Sequence, residues 1–185
     1  MHLVMISGSR NPQGQTATAA DAILEGYTAA GGDVERHFLP AMRIERCRQC
    51  NDDGWGICRT EGRCIIDDDL PMLMDRIRAA DAVVLATPVY YSDLAESIRA
   101  FTDRLRRVAT HLEDPAGIHG KPAVGLCVAG GGGGGAPNCC VSLERVASRI
   151  GLDVVDVIPA RRQNLEAMLP RLRLVGQWLA TGPHS

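Results

Sequence analysis

The chain has 185 residues, 45% of them apolar and 23% charged, with a formal net charge of −2. That is one domain's worth of sequence with enough apolar residues for a core, which excludes a disordered chain, and no apolar run is long enough to span a bilayer. The near-neutral balance offers no electrostatic basis for binding nucleic acid or an anionic membrane.

In chain order, HLVMIS (2–7) is a short apolar run that ends in a Gly/Ser/Pro-rich turn. Residues 16–30 predict a helix, with Ala20, Ile23, Leu24 and Tyr27 on one face. DVERHFL (33–39) alternates as a strand does. A Cys-rich stretch then interrupts the pattern. Asp67, Asp68 and Asp69 predict a helix start, with Pro71 in its first turn and the helix running to about Ala80. DAVVLATP (81–88) reads as a buried strand stopped by proline. Leu94, Ile98, Phe101, Leu105 and Val108 form the seam of an amphipathic helix. KPAVGLCVA (121–129) is a strand followed by GGGGGGAPN, then a helix over 138–150, a strand over 152–160 and a final helix from Leu165 to Leu179.

Five strands alternating with five helices predict an α/β fold: a doubly wound, five-stranded parallel sheet with helices on both faces. The expectation is a single domain over 1–185, with a Cys-rich insertion at about 45–66. In such sheets ligands bind beyond the carboxyl ends of the strands. Three turns at that rim carry unusual residues. SGSRNPQGQT (7–16) leads into a helix N-terminus, where amides and hydroxyls suit a phosphate; Gln15 stands where a Walker loop would have lysine, so nucleotide triphosphate hydrolysis is not expected. Taken alone, the same turn also reads as a polar helix cap. TPVYYSD (87–93) offers two tyrosines on a loop, fit for a flat ring or for a core or subunit contact. GGGGGG (130–135) lets backbone approach a ligand closely.

Four of the seven cysteines, Cys47, Cys50, Cys58 and Cys64, lie within CRQCNDDGWGICRTEGRC. No basic n-region precedes the first strand, so the expected compartment is the cytoplasm, where thiols stay reduced and a disulfide framework is the weaker reading. A Cys-x-x-Cys turn points two sulfurs the same way, and Cys58 and Cys64 complete a four-thiol site if NDDGWGI folds back. An iron–sulfur cluster, a zinc ion and free or disulfide-bonded thiols all remain open. Cys127, Cys139 and Cys140 are expected to be structural.

GSRNPQGQT, CRQC…C…GRCIIDDDL, AADAVVLATPVYYSDLAESIRAFTDRL and GKPAVGLCVAGGGGGG together resemble the flavodoxin-like NAD(P)H-dependent FMN reductases, and within them the iron–sulfur flavoprotein branch. The resemblance implies a flavodoxin-like fold with bound FMN. Ser9, Arg10, Gln15 and Thr16 would hold its phosphate. Pro88, Val89, Tyr90 and Tyr91 would flank the ring, and Gly130, Gly131 and Gly132 would face its pyrimidine edge. It also implies NAD(P)H as donor, a [4Fe–4S] cluster on Cys47, Cys50, Cys58 and Cys64, and a homodimer or homotetramer. Seven residues separate Cys50 from Cys58, where the branch has a compact Cys-x2-Cys-x2-Cys. No catalytic side chain is assigned, since the flavin carries the chemistry. The expected function is an FMN-dependent oxidoreductase passing electrons to a small molecule or a protein redox partner. The alternatives are a non-enzymatic electron-carrier flavodoxin and a zinc-stabilised binding module.

Overall fold

A computed structural model of the chain describes residues 1–110 and 117–182. His111 and His184, to which the sequence assigns no role, lie outside the described residues.

The apolar runs form β1 (His2–Ser7), β2 (Asp33–Phe38), β3 (Ala82–Tyr90), β5 (Pro122–Ala129) and β6 (Asp153–Arg161), parallel and ordered β2-β1-β3-β5-β6. This order reverses direction between β1 and β3, the switch point of a flavodoxin-like sheet. A sixth, two-residue strand, β4 (Asp93–Leu94), pairs antiparallel with the end of β3. The helices are α1 (Gln15–Ala29), α2 (Leu70–Ala79), α3 (Glu96–Ala109), α4 (Ala136–Ile150) and α5 (Leu165–Thr181). Among the described residues no helix is long and apolar enough to cross a membrane.

The period of two in the strands divides the core. Val4 and Ile6 of β1 pack with α2, α3 and α4 on one face, and Leu3 and Met5 pack with α1 and α5 on the other. α1 and α5 cross so closely that a Cβ added at Gly176 would lie 1.9 Å from the Ile23 carbonyl oxygen, and one at Gly26 would lie 1.9 Å from that of Arg173.

One segment departs from the alternation. After a short 3-10 turn at Leu39–Ala41, the chain forms no helix or strand until α2 begins at Leu70. Loops beyond about 12–15 residues without regular structure are uncommon in compact domains and usually carry function. This segment holds the four clustered cysteines.

Gly176→Ala is expected to destabilise the protein by about 1–3 kcal/mol, because the α1–α5 crossing must open to admit a methyl group. Urea unfolding followed by circular dichroism measures it; an unchanged midpoint would show that the crossing is slack.

Candidate functional site

The turn after β1 is braced by its own side chains. Ser9 N–H donates to Ser7 Oγ (3.1 Å), Asn11 N–H to Ser9 Oγ (3.3 Å) and Gln13 N–H to Asn11 Oδ1 (2.9 Å). The turn is pinned to its neighbours by Gly8 N–H on the Ala86 carbonyl (2.8 Å) and by Ser97 Oγ of α3 on the Gly8 carbonyl (3.1 Å). α1 then starts from Gly14 with no side chain capping it. Its first-turn amides therefore face outward with no intrahelical acceptor, beside the buried Thr16, at the positive end of the helix dipole.

That helix end opens onto a groove of about 810 Å³, within the range of small-molecule sites. Three strand ends build it. Ser9, Asn11, Gln13, Gln15, Thr16 and Thr18 come from the first turn and α1. Pro88, Val89 and Tyr90 come from β3, and Val128, Ala129 and Gly130 to Gly134 from the end of β5. A Cβ added at Gly131, Gly132 or Gly134 would meet nothing within 4 Å, so side chains there would fill open space beside the groove. Gly135, at φ +81°, is tucked against Ser92, where an added Cβ would lie 2.4 Å from the hydroxyl. An uncapped helix end at one wall and a bare glycine backbone at another suit a flat, phosphate-bearing ligand.

The sequence-predicted groove residues do not all gather. Ser9, Gln15, Thr16, Pro88, Val89, Tyr90, Gly130, Gly131 and Gly132 line it. Arg10 lies instead in a neighbouring depression with Pro40, Tyr90 and Glu96. Tyr91 projects into solvent. The reason is that PVYY is a strand end and hairpin, where the sequence suggested a loop. Val89 pairs with Leu94 and Tyr90 with Asp93, and Tyr91 and Ser92 form the two-residue turn with φ of 49° and 65°. Positive φ at both central residues matches a type I′ hairpin, though neither is glycine or asparagine. Asn11, Gln13 and Thr18 also line the groove and were missed; the Asn-Pro turn signal at Asn11 was the one available clue.

The second concavity is walled by all four clustered cysteines. Cys47, Cys50, Cys58 and Cys64 line one cavity together with Gly54, Gly56, Ile57 and, from α3, Arg104, Arg107 and Val108. NDDGWGI folds back over it: Gly54 N–H donates to the Asn51 carbonyl (3.2 Å) and Asn51 Nδ2 to the Trp55 carbonyl (2.7 Å). Gln49 and Asn51 both take positive φ (51° and 57°), curling the chain around Cys50. All four cysteines are free and part-buried. They surround the cavity without converging on one point: among the described residues no three His, Cys, Asp or Glu are grouped so as to hold a metal ion. A lone tetrahedral zinc would draw its sulfurs to about 3.8 Å from one another, given a Zn–S bond of about 2.3 Å. Four cysteine thiols are also the donor set that an iron–sulfur cluster takes. Cys127 and Cys139 lie in the core between the sheet and α4.

Asp68 closes the base of this segment. Its carboxylate accepts from Glu45 N–H (2.9 Å), Leu70 N–H (3.2 Å) and both Nη atoms of Arg104, with Arg104 Nη2 at 3.0 Å from Oδ1. Asp69 adds a second tie: its Oδ2 accepts from Arg43 N–H (2.7 Å), and its N–H donates to the Arg43 carbonyl (3.0 Å). The acidic triplet does stand at a helix start, but Asp69 makes no side-chain cap there. Burial alone would push the Asp68 carboxyl up; the hydrogen bonds from Arg104, Glu45 and Leu70 outweigh it and hold the group below its ordinary value.

Residues 1–157 match the family described as NADPH-dependent FMN reductase. An iron-sulfur flavoprotein of Methanocaldococcus jannaschii is 30% identical over 133 residues, 71% of this chain and 65% of the relative. Others from Archaeoglobus fulgidus and Methanosarcina thermophila are 32% and 30% identical over 57% and 63% of this chain, and 46% and 60% of their own lengths. The chain thus covers less than two thirds of each of these relatives. Among solved structures, an NAD(P)H:quinone oxidoreductase from Methanothermobacter marburgensis shares the fold with a TM-score of 0.74 at 22% identity, over 100% of this chain and 98% of that one. A flavodoxin from the domain Archaea aligns with a TM-score of 0.63 at 14% identity, over 97% of this chain and 96% of its own.

Asp68→Asn leaves the Arg104 charge buried without its counter-ion, and is expected to cost roughly 3–5 kcal/mol. Because the folded carboxyl sits below its unfolded value of about 3.9, the stabilisation is complete above that pH and is lost as pH falls through the folded value. Melting curves of both proteins should therefore lie far apart at neutral pH and approach one another in acid; a gap that is constant with pH would contradict the assignment.

Proposed function

Because this chain belongs to the NADPH-dependent FMN reductase family, we propose that it is a flavin-dependent oxidoreductase that takes electrons from NAD(P)H and delivers them to a small acceptor or a protein partner, with an iron–sulfur cluster in its cysteine cavity. The observation that carries this reading is the groove at the carboxyl ends of β1, β3 and β5, where an uncapped helix end faces a side-chain-free glycine backbone. FMN bound there would supply the electron-transfer chemistry.

The chain's own residues hold and orient. The amides at the start of α1 and the Thr16 hydroxyl would bind a phosphate, helped by the dipole of the helix. Gln15 reaches toward the glycine loop, its Oε1 lying 3.7 Å from where a Cβ of Gly130 would stand. Main-chain amides of Gly130 to Gly132 would serve the polar edge of a bound ring and favour negative charge there. Pro88 and Val89 continue a core strand, so they offer a stiff edge, and the half-exposed Tyr90 leaves one side of the groove open to a second ring such as a nicotinamide.

The curated relatives are named iron-sulfur flavoproteins, and the four thiols here line one cavity, which supports a cluster held by four thiolates over zinc. A cluster would supply one-electron exchange. The match to reductases supports an enzyme over a pure electron carrier. Cytoplasmic location and a homodimer or homotetramer complete the reading.

The purified chain is expected to bind FMN stoichiometrically, to bind riboflavin much more weakly, and to be bleached anaerobically by NADH or NADPH. Thr16→Ala should weaken FMN binding by about 1–3 kcal/mol through loss of a charge-assisted hydrogen bond. Fluorescence titration of apoprotein with FMN measures both. Equal affinity for riboflavin and FMN would overturn the phosphate site, and a protein that binds no flavin would overturn the function.

A further inference from the structure

Arg104 and Arg107 stand one turn apart on α3, and both line the cysteine cavity. Arg104 is 1% exposed. Its Nη atoms are engaged by Asp68 and by the Glu45 carbonyl (3.1 Å). Arg107 donates through Nη2 to the Gly54 carbonyl and lies over the Trp55 ring, 3.9 Å from its centroid. In both arginines the Nε–H is buried and meets no acceptor at hydrogen-bonding distance, although the Arg104 guanidinium lies beside the Cys64 thiol. Leaving one such donor unmet costs about 1–3 kcal/mol, and folded proteins rarely do so. Here two occur on one wall, and that wall faces four thiols.

The charges are not equivalent. Arg104 is neutralised by Asp68, and Arg48, also at the cavity, pairs with Glu45 at 2.8 Å. Among the described residues no carboxylate pairs with Arg107. If these side chains were only anchors for the loop, Asp68, Glu45, Gly54 and Trp55 would account for the Nη atoms and stacked planes, but not for the two unmet Nε–H donors or the surplus positive charge.

We propose that Arg104 and Arg107 are positioning residues for the redox centre of the cysteine cavity: their Nε–H groups donate to sulfur atoms around it, and the uncompensated charge of Arg107 makes that centre easier to reduce. The inference rests on the reading that the cavity holds an iron–sulfur cluster. Reduction adds one electron and one negative charge, and no bond forms or breaks. A cation in a partly dehydrated wall stabilises that added charge, and hydrogen bonds to sulfur act in the same direction.

The test uses the full chain reconstituted anaerobically with ferrous iron and sulfide, as wild type, Arg107→Gln and Arg107→Lys, with dithionite as reductant. FMN content and the melting temperature report folding independently, since the groove is built from other elements. The midpoint potential of the cluster is followed by electron paramagnetic resonance. Arg107→Gln should disfavour reduction at least tenfold, a downward shift of about 59 mV or more for one electron, and Arg107→Lys should recover part of it by keeping the charge. Equal potentials in wild type and Arg107→Gln overturn the proposal. Should the Gln variant fail to fold, wild type labelled with 15N-arginine serves: pulsed resonance of the reduced cluster should detect coupling to arginine nitrogen, and its absence overturns the proposal. A wild type that takes up no iron or sulfide overturns the cluster reading and this inference together; a loaded wild type with unmoved potential in the Gln variant overturns the inference alone.

Discussion

The buried pair of Asp68 and Arg104 is the contact on which the rest of the cysteine segment depends. Two fully buried charges are costly, and such a pair is tolerable only when its remaining hydrogen-bonding capacity is met. Asp68 meets that condition by taking amides from both ends of the segment, Glu45 on the way in and Leu70 on the way out. The pair therefore closes a long loop at its base and bolts the closure to α3. Closing a flexible loop carries an entropic cost that grows only slowly with length, so one well-made buckle suffices for a long insertion. What it fixes is the placement of four thiols against one stretch of helix.

α3 also ties the two concavities together. Its first turn holds the phosphate-type turn through Ser97 on the Gly8 carbonyl. Seven residues later Arg104 meets the cysteine segment, about 10 Å along the axis at about 1.5 Å per residue. Ile98, Phe101, Leu105 and Val108 of the same helix are buried against the sheet, so the spacing between the two ends is rigid. The groove and the cavity are thus held in a fixed relation by a single core element.

Much of the frame was legible from local patterns. The helix seams and apolar runs placed the main elements within a few residues, because period and punctuation by Gly and Pro are properties of short windows. What could not be read were the long-range pairings. Asp68 looked like part of a helix cap, since nothing local tells that its partners are Glu45 and Arg104. Arg104 sits between apolar seam positions, and its burial follows from a segment that returns to cover it. Tyr90 and Tyr91 are neighbours in sequence, but a two-residue hairpin turn sends one to the groove and the other into solvent. Arg10 was grouped with the phosphate turn by proximity along the chain, while the turn of the backbone delivers it to the adjoining depression.

The central claim is that the glycine-walled groove and the four-thiol cavity form one redox unit. Mössbauer spectroscopy of chain reconstituted with 57Fe, sulfide and FMN, recorded before and after anaerobic addition of NADPH, tests it most directly. The account predicts the spectrum of a four-iron centre that becomes reduced on adding NADPH only when FMN is present. Mononuclear iron, or a four-iron centre left unchanged while the flavin bleaches, would contradict it.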